Sequence, residues 1–256
     1  MKKWFSALKE HHALVIERNN KVYEKKYEKE EDKPFASGIC FSKLFWLFLI
    51  GSFFGTIIET FWTVFIDGHF EIRVGMVIGP FIPVYGGGAV AFTLCLYKFH
   101  RANGVIIFIV AAVIGGAFEY LCSYFQEAFL GQISWDYSDT PFNLNGRTNL
   151  GFAVIWGVLG YIWIRYIYPV VSRVIEKIPK RSGRVVTIVV FVIMLIGGVL
   201  TCVAIDRKGK RDENIPPKTI IGQFCDTVFP DEYMEVFFPH LGTKETFAEE
   251  RAQKDK

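Results

Sequence analysis

Residues 104–130 read GVIIFIVAAVIGGAFEYLCSYFQEAFL, and this stretch decides the class of the fold. An α-helix crosses the hydrocarbon of a bilayer in about 20 predominantly apolar residues. Here the chain runs without a charge from Gly104 to Phe118 before meeting Glu119, Ser123, Gln126 and Glu127. At 3.6 residues per turn, positions 119, 123 and 126 share one helix face. The segment therefore reads as a membrane span with a polar stripe in its second half.

Four further apolar runs flank it. Residues 43–66 form one, with Glu59 as its ionisable residue and Gly51, Ser52, Gly55 and Thr56 placed one turn apart. That row of small side chains lets another helix approach closely. Residues 76–97 open on Gly79-Pro-Phe-Ile-Pro-Val-Tyr-Gly-Gly-Gly88. Pro80 and Pro83 lack amide donors and three glycines follow, so this end is expected to be bent, broken or irregular. Such backbone survives at membrane depth only under a cover of protein or beside a wet cavity, so this end is expected to face the bundle interior. Residues 150–171 are apolar and rich in aromatics, and residues 185–205 carry no charge. The expected fold is all-α, a bundle of about five transmembrane helices with a broken or kinked second helix.

Composition agrees with this class. The chain has 256 residues, 51% hydrophobic and 16% aromatic, with a net charge of only +3. Its basic residues sit in the terminal segments and short loops, which does not make the basic folded face that nucleic-acid binding needs. The five cysteines show no CxxC or Cys/His ligand spacing, and the five histidines are scattered. No metal, cofactor or disulfide framework is expected from them. There is no phosphate-binding G-x-x-x-x-G-K-[ST] loop and no spacing that suggests a nucleophilic triad.

Three regions follow. Residues 1–40 are a charged arm, in which opposite charges between Lys21 and Asp32 recur three or four apart, as in a solvated helix. Residues 41–206 are the membrane domain. Residues 207–256 are a tail of short helices expected to lie against that domain. Lys and Arg counts near the span ends favour a cytoplasmic N-terminus. The expected inside segments hold Lys98, Arg101, Arg173, Lys177, Lys180, Arg181 and Arg184, against Arg73 and Arg147 outside. With five crossings the tail then lies outside, where Arg207, Lys208, Lys210 and Arg211 run against the rule.

Between the third and fourth runs lies Ser134-Trp-Asp-Tyr-Ser-Asp-Thr-Pro-Phe-Asn-Leu-Asn-Gly-Arg147. In either orientation of the whole chain, Glu59, Glu119, the Gly79–Gly88 stretch and this loop converge at one end of the bundle. A carboxylate at bilayer depth costs roughly 3 kcal/mol on insertion scales and is retained for pairing, proton transfer or ligand contact. The candidate site is therefore Glu59, Pro80, Pro83, Tyr85, Glu119, Trp135, Asp136, Asn143, Asn145 and Arg147, with the two glutamates either protonated or paired with a cation such as Arg147, and Arg147 able to help the helix N-termini hold an anionic group. Plainer roles stand beside this one. They are interhelical hydrogen bonds for the glutamates, a packing kink for the prolines, an interfacial belt for Trp135 and Tyr137, and an Asx turn capping the fourth helix for Asn143 to Arg147.

The combination of Glu59, Gly79-Pro-Phe-Ile-Pro-Val-Tyr-Gly-Gly-Gly88, Trp135-Asp-Tyr-Ser and Phe142-Asn-Leu-Asn-Gly-Arg147 leading into Trp156-Gly-Val-Leu-Gly160 resembles the ABC-transporter type IV permease family. The likeness spans about residues 41–171. It implies a multi-span bacterial membrane protein, the membrane half of a transporter, with the lipid bilayer and a partner ATPase or other membrane subunit as its surroundings. The leading expectation is a permease-like protein that binds a small charged solute. An enzyme acting on a lipid or lipid-linked substrate, and a non-catalytic subunit or sensor, are the alternatives.

Overall fold

The structure is a computed structural model that describes residues 2–23, 33–68, 70–71 and 73–254. Helix α1 spans Lys2–Tyr23, and the charge-rich residues 24–32 lie outside the described residues. Helix α2 (Phe41–Trp62) continues into a π-helical turn, Thr63–Asp67. Helix α3 is Pro83–Leu96, α4 is Gly104–Leu130, and α5 (Leu150–Ile162) runs through a second π turn, Trp163–Ile167, into α6 (Tyr168–Glu176). Helix α7 is Lys180–Asp212, and the tail holds α8 (Ile220–Val228), α9 (Asp231–Phe237) and α10 (Lys244–Lys254). Two short strands, β1 (Asn143–Leu144) and β2 (Thr148–Asn149), pair antiparallel.

Four helical segments are long and apolar enough to cross a membrane: Phe41–Phe65, Gly104–Leu130, Leu150–Glu176 and Lys180–Asp212. Helix α3 differs. Its 14 residues rise about 21 Å, short of the ~30 Å hydrocarbon core. Proline fixes the starting point, because Pro83 sits in the first turn, where a missing N–H leaves no bond unmade. The residues before it stay non-helical and bond elsewhere: Ile82 N–H donates to the Ser52 carbonyl (3.0 Å) and Val77 N–H to the Thr201 hydroxyl (3.0 Å). Met76 and Val77 are buried between helices, whereas Ile78, Gly79 and Pro80 are exposed. Within the Gly79–Gly88 stretch, the Gly79-Pro80 corner is exposed, residues 81–85 are half-buried and Gly86 and Gly88 are buried, so the expectation of an inward face fails at the corner and holds beyond it.

Helix α2 packs on α3, α3 on α4, and α4 on α5. The small-residue row does face a helix. A Cβ on Gly51 would meet Ala89 and Gly86, and one on Gly86 would collide with Ser52 and the Phe48 carbonyl. In lipid, where tails are as apolar as leucine, such close backbone approach supplies the packing that holds helices together. Leu47, Ala89, Phe92, Leu96, Ile107, Ala111 and Ile164 fill the centre as a dry core.

At the end of the bundle near α1 lies a buried polar cluster. Lys43, fully buried, donates to the Ser172 carbonyl (3.1 Å), the Ser172 hydroxyl (2.5 Å) and Glu176 (3.0 Å). The nearby π turn has a sequence cause. Pro169 cannot donate to the Arg165 carbonyl, which accepts from the Asn19 amide instead, while Tyr23 donates to the Ile164 carbonyl (2.9 Å). These two bonds dock α1 onto the bundle.

Candidate functional site

At the opposite end, α2, α3, α4 and the β1–β2 hairpin place two glutamates in one polar cluster. Glu59 is presented by the last turn of α2, where Tyr85 of α3 donates to it (2.5 Å) and the Arg73 guanidinium pairs with it (3.3 Å). Gly55, one turn earlier, allows this, since any Cβ there would strike the Tyr85 ring. Arg73 also binds Glu71 (2.7 Å) and lies 2.7 Å from His240, which itself reaches Glu71 at 3.2 Å.

Glu119 has a different environment. It is 4% exposed, and its carboxylate accepts from the Thr148 hydroxyl (2.7 Å) and the Tyr137 hydroxyl (3.2 Å). The Trp156 indole N–H approaches it without closing a hydrogen bond of normal geometry. Among the described residues no Lys, Arg or His pairs with Glu119. Burial, and then Glu119 beside it, hold the Tyr137 hydroxyl well above the ordinary tyrosine range, so this phenol stays a donor. Each glutamate thus has its own tyrosine donor, Tyr85 on Glu59 and Tyr137 on Glu119. Two hydroxyls on the same face of α2 as Glu59, Ser52 and Thr56, are buried without a hydrogen-bond partner.

Arg147 is not the counter-ion of either glutamate. It lies buried against α4, where it pairs with Glu127, donates to Ser123 (3.3 Å) and stacks near the rings of Tyr124 (5.4 Å) and Tyr120 (5.7 Å). Lys244 of α10 binds the other oxygen of Glu127 (3.0 Å). The reason for this placement is the hairpin. Asn145 and Gly146 have positive φ (54° and 70°), the arrangement of a tight type I′ turn, and the turn throws the next side chain back onto α4. The Arg147 carbonyl accepts from the Trp135 indole (3.0 Å).

The remaining expected residues divide cleanly. Asp136 accepts from the Ser138 N–H (2.9 Å) and hydroxyl (2.6 Å), and Asn143 bonds the Ser138 and Thr140 carbonyls and the Gly146 N–H, so both organise the loop. Asn145 donates to Tyr120 (3.0 Å). Pro83 starts α3, and Pro80 stands apart on the exposed corner. The cap of α5 is Asn149, whose side chain accepts from the Phe152 N–H (2.8 Å), and not the Asn143 to Arg147 turn. Sequence reasoning left Arg73, Tyr137 and Trp156 out of the candidate site, giving Tyr137 a place in an interfacial belt and Arg73 one in the charge count, and it gave no role to Thr148 or to the tail residues His240 and Lys244. The Asn-Gly pair signals a hairpin and would have located Thr148 beside it. Nothing local marks His240 or Lys244, because their partners lie more than a hundred residues away.

The tail closes this end. Gly242 pairs with Ile133 as an isolated bridge, so residues 240–244 form a strap running from the Glu71–Arg73 group to the Glu127–Arg147 group. Beside the cluster, a groove of about 380 Å³ opens between α4 and α5, lined by Val113, Gly116, Phe142, Leu144, Thr148 and Ala153 among others.

A family model described as Putative ABC-transporter type IV matches residues 46–202. The match covers more than half of the chain, with two of the long spans whole and most of the other two, so the protein belongs to that family. It is a multi-pass membrane protein related to transport. No curated protein and no solved structure gives a significant match.

Proposed function

We propose that the chain is a permease-like transport protein whose polar cluster, at the hairpin end of the bundle, receives a small charged solute. The observation that carries this reading is Glu119. It is buried in a membrane span and held by neutral donors only, an arrangement that a purely structural carboxylate has little reason to keep. Nearby, Glu59 and Glu71 both bind the Arg73 guanidinium, and Glu119 adds a buried carboxylate that no cation among the described residues pairs with. That surplus suits a cationic solute or a transported proton, passed between Glu119 and Glu59 by way of Tyr137 and Tyr85. Glu59, Tyr85 and Glu119 are the proposed contacts, while Trp135, Asp136, Asn143, Asn145 and Arg147 shape the hairpin that covers them.

The Lys and Arg distribution supports a cytoplasmic N-terminus, with the site on the outer face. Arg207, Lys208, Lys210 and Arg211, which run against that rule, are each paired with an aspartate. Family membership supports a partner ATPase or another membrane subunit.

A second reading, chemistry on a lipid or lipid-linked substrate, is favoured by one feature. The groove between α4 and α5 is walled by membrane spans and reaches Thr148, whose hydroxyl binds Glu119. One experiment separates the two. The full chain is purified in native lipid discs, and co-purifying molecules are identified by mass spectrometry for wild type and Glu119→Gln. A small cation retained only by wild type supports transport. A specific lipid retained only by wild type supports the second reading. Identical contents in both variants remove Glu119 from either.

A further inference from the structure

Helix α8 has three faces where a tail helix packed on a membrane domain needs two. Gly222, Cys225 and Phe229 turn inward, against Ala204, Ile205 and Met234. Gln223 and Thr227 are exposed and polar. The third face is apolar and bare: Ile220 is 84% exposed, Ile221 52%, Phe224 48% and Val228 44%. With successive residues about 100° apart, these four side chains fall within one arc of about 100°, between the buried and the polar sectors. The capping Thr219 hydroxyl, accepting from Gly222 N–H (3.0 Å), fixes the register of these faces.

The position of α8 decides what covers that face. It packs on the last turns of α7, where Asp226 binds Arg207 (2.8 Å) and Arg211 (2.6 Å). Helix α7 has 33 residues, a rise of about 50 Å, so its charged end extends past the ~30 Å hydrocarbon. Below that end, α7 shows lipid an unbroken belt that includes Ile193, Ile196 and Val199. Because α8 packs on the last turns of α7, its bare face lies at the level where the charge of α7 begins. A helix with apolar, polar and packed sectors at that level meets the headgroup and acyl boundary.

We infer that α8 is an in-plane membrane helix, whose Ile220, Ile221, Phe224 and Val228 insert into the lipid interface and set the bilayer boundary at the last turns of α7. This reading is independent of what the glutamate cluster carries.

The test uses the full chain in phospholipid vesicles, with Cys40, Cys95, Cys122 and Cys202 replaced by Ala and the buried Cys225 kept. Nitroxide labels are placed singly at Phe224→Cys, Ile221→Cys and Gln223→Cys. Accessibility is read against oxygen, which concentrates in lipid, and a water-soluble nickel chelate. The oxygen-to-nickel ratio at positions 221 and 224 is expected to exceed that at 223 several-fold, with 223 open to the chelate. Equal ratios at all three positions overturn the inference. So does a label at 224 that is open to the chelate in vesicles but shielded in native membranes, which assigns the face to a protein partner. The 221 label decides the matter where the 224 variant fails to fold.

Discussion

The two ends of the bundle both bury charge in the membrane domain, and they do so in opposite ways. Near α1, the Lys43 ammonium meets the Glu176 carboxylate and both the carbonyl and the hydroxyl of Ser172, so the buried cation has an anionic partner. At the hairpin end, Glu119 has only Thr148 and Tyr137 as hydrogen-bond donors among the described residues, and Arg73 is shared by Glu59 and Glu71. Matched burial is what stability permits. Unmatched burial raises the free energy of the resting state, and in the function proposed above a proton or solute would complete the set at this end.

The largest expected effect lies at the matched end. Lys43→Ala removes the buried ion pair with Glu176, and breaking such a pair costs about 3–5 kcal/mol. Thermal unfolding in lipid discs should show a large drop. The double variant Lys43→Met with Glu176→Leu should recover most of it, since replacing both partners by apolar groups is often neutral. A single variant as stable as wild type would mean that the two ends do not differ.

Glu119→Gln should do the reverse. The amide keeps an acceptor for Thr148 and relieves an unmatched charge, so stability is expected to stay within about 1 kcal/mol. Solute retention or uptake is expected to fall on the order of tenfold or more, because a hydrogen bond to a charged group is worth about 1.5–3 kcal/mol. Proteoliposome uptake measured beside the melting curve separates the two quantities.

Arg147→Lys sharpens the contrast from inside the hairpin end. Arg147 is well matched by Glu127 and Ser123 and lies near two tyrosine rings, a geometry for a planar guanidinium that an ammonium cannot reproduce. A loss of about 2 kcal/mol in stability is expected, together with uptake that is unchanged per folded molecule. A selective loss of uptake would return Arg147 to the solute site.

This residue also shows what the chain reveals before it is folded. The spans were legible because hydropathy and length are local, and residues 104–130 form a helix over those same limits. The convergence of Glu59 and Glu119 was legible because it follows from alternating span direction. The partner of Arg147 was not, because a two-residue turn with positive φ decides which helix receives the side chain. The strap was illegible for the same reason at longer range, since His240 and Lys244 find Glu71 and Glu127 only once the tail has packed on α7.

Acid should loosen the packing of the tail. Burial alone would raise the Asp226 carboxyl, but hydrogen bonds and charge from Arg207 and Arg211 hold it below the ordinary aspartate range. A depressed folded value means the stabilisation is present above the unfolded value of about 3.9 and is lost as pH falls through the folded one. Hydrogen exchange in α8 should therefore rise below about pH 4, while exchange in α5 stays slow. Asp226→Asn should give the same rise at neutral pH.

The smallest expected effect concerns the cap of α5. Asn149 accepts from Phe152 N–H and donates to Thr140 (2.8 Å), so it ties the hairpin to the helix that carries Trp156. Asn149→Ala should cost about 1 kcal/mol. Asn149→Asp keeps the acceptor at the positive end of the helix and loses only the bond to Thr140. If the hairpin's hold on Glu119 depends on that bond, Asp will restore stability but not uptake, and the measured split between them assigns Thr140 a share in positioning Thr148. If Asp restores both, the cap alone orients the hairpin, and the Thr140 contact follows from the fold without shaping the site.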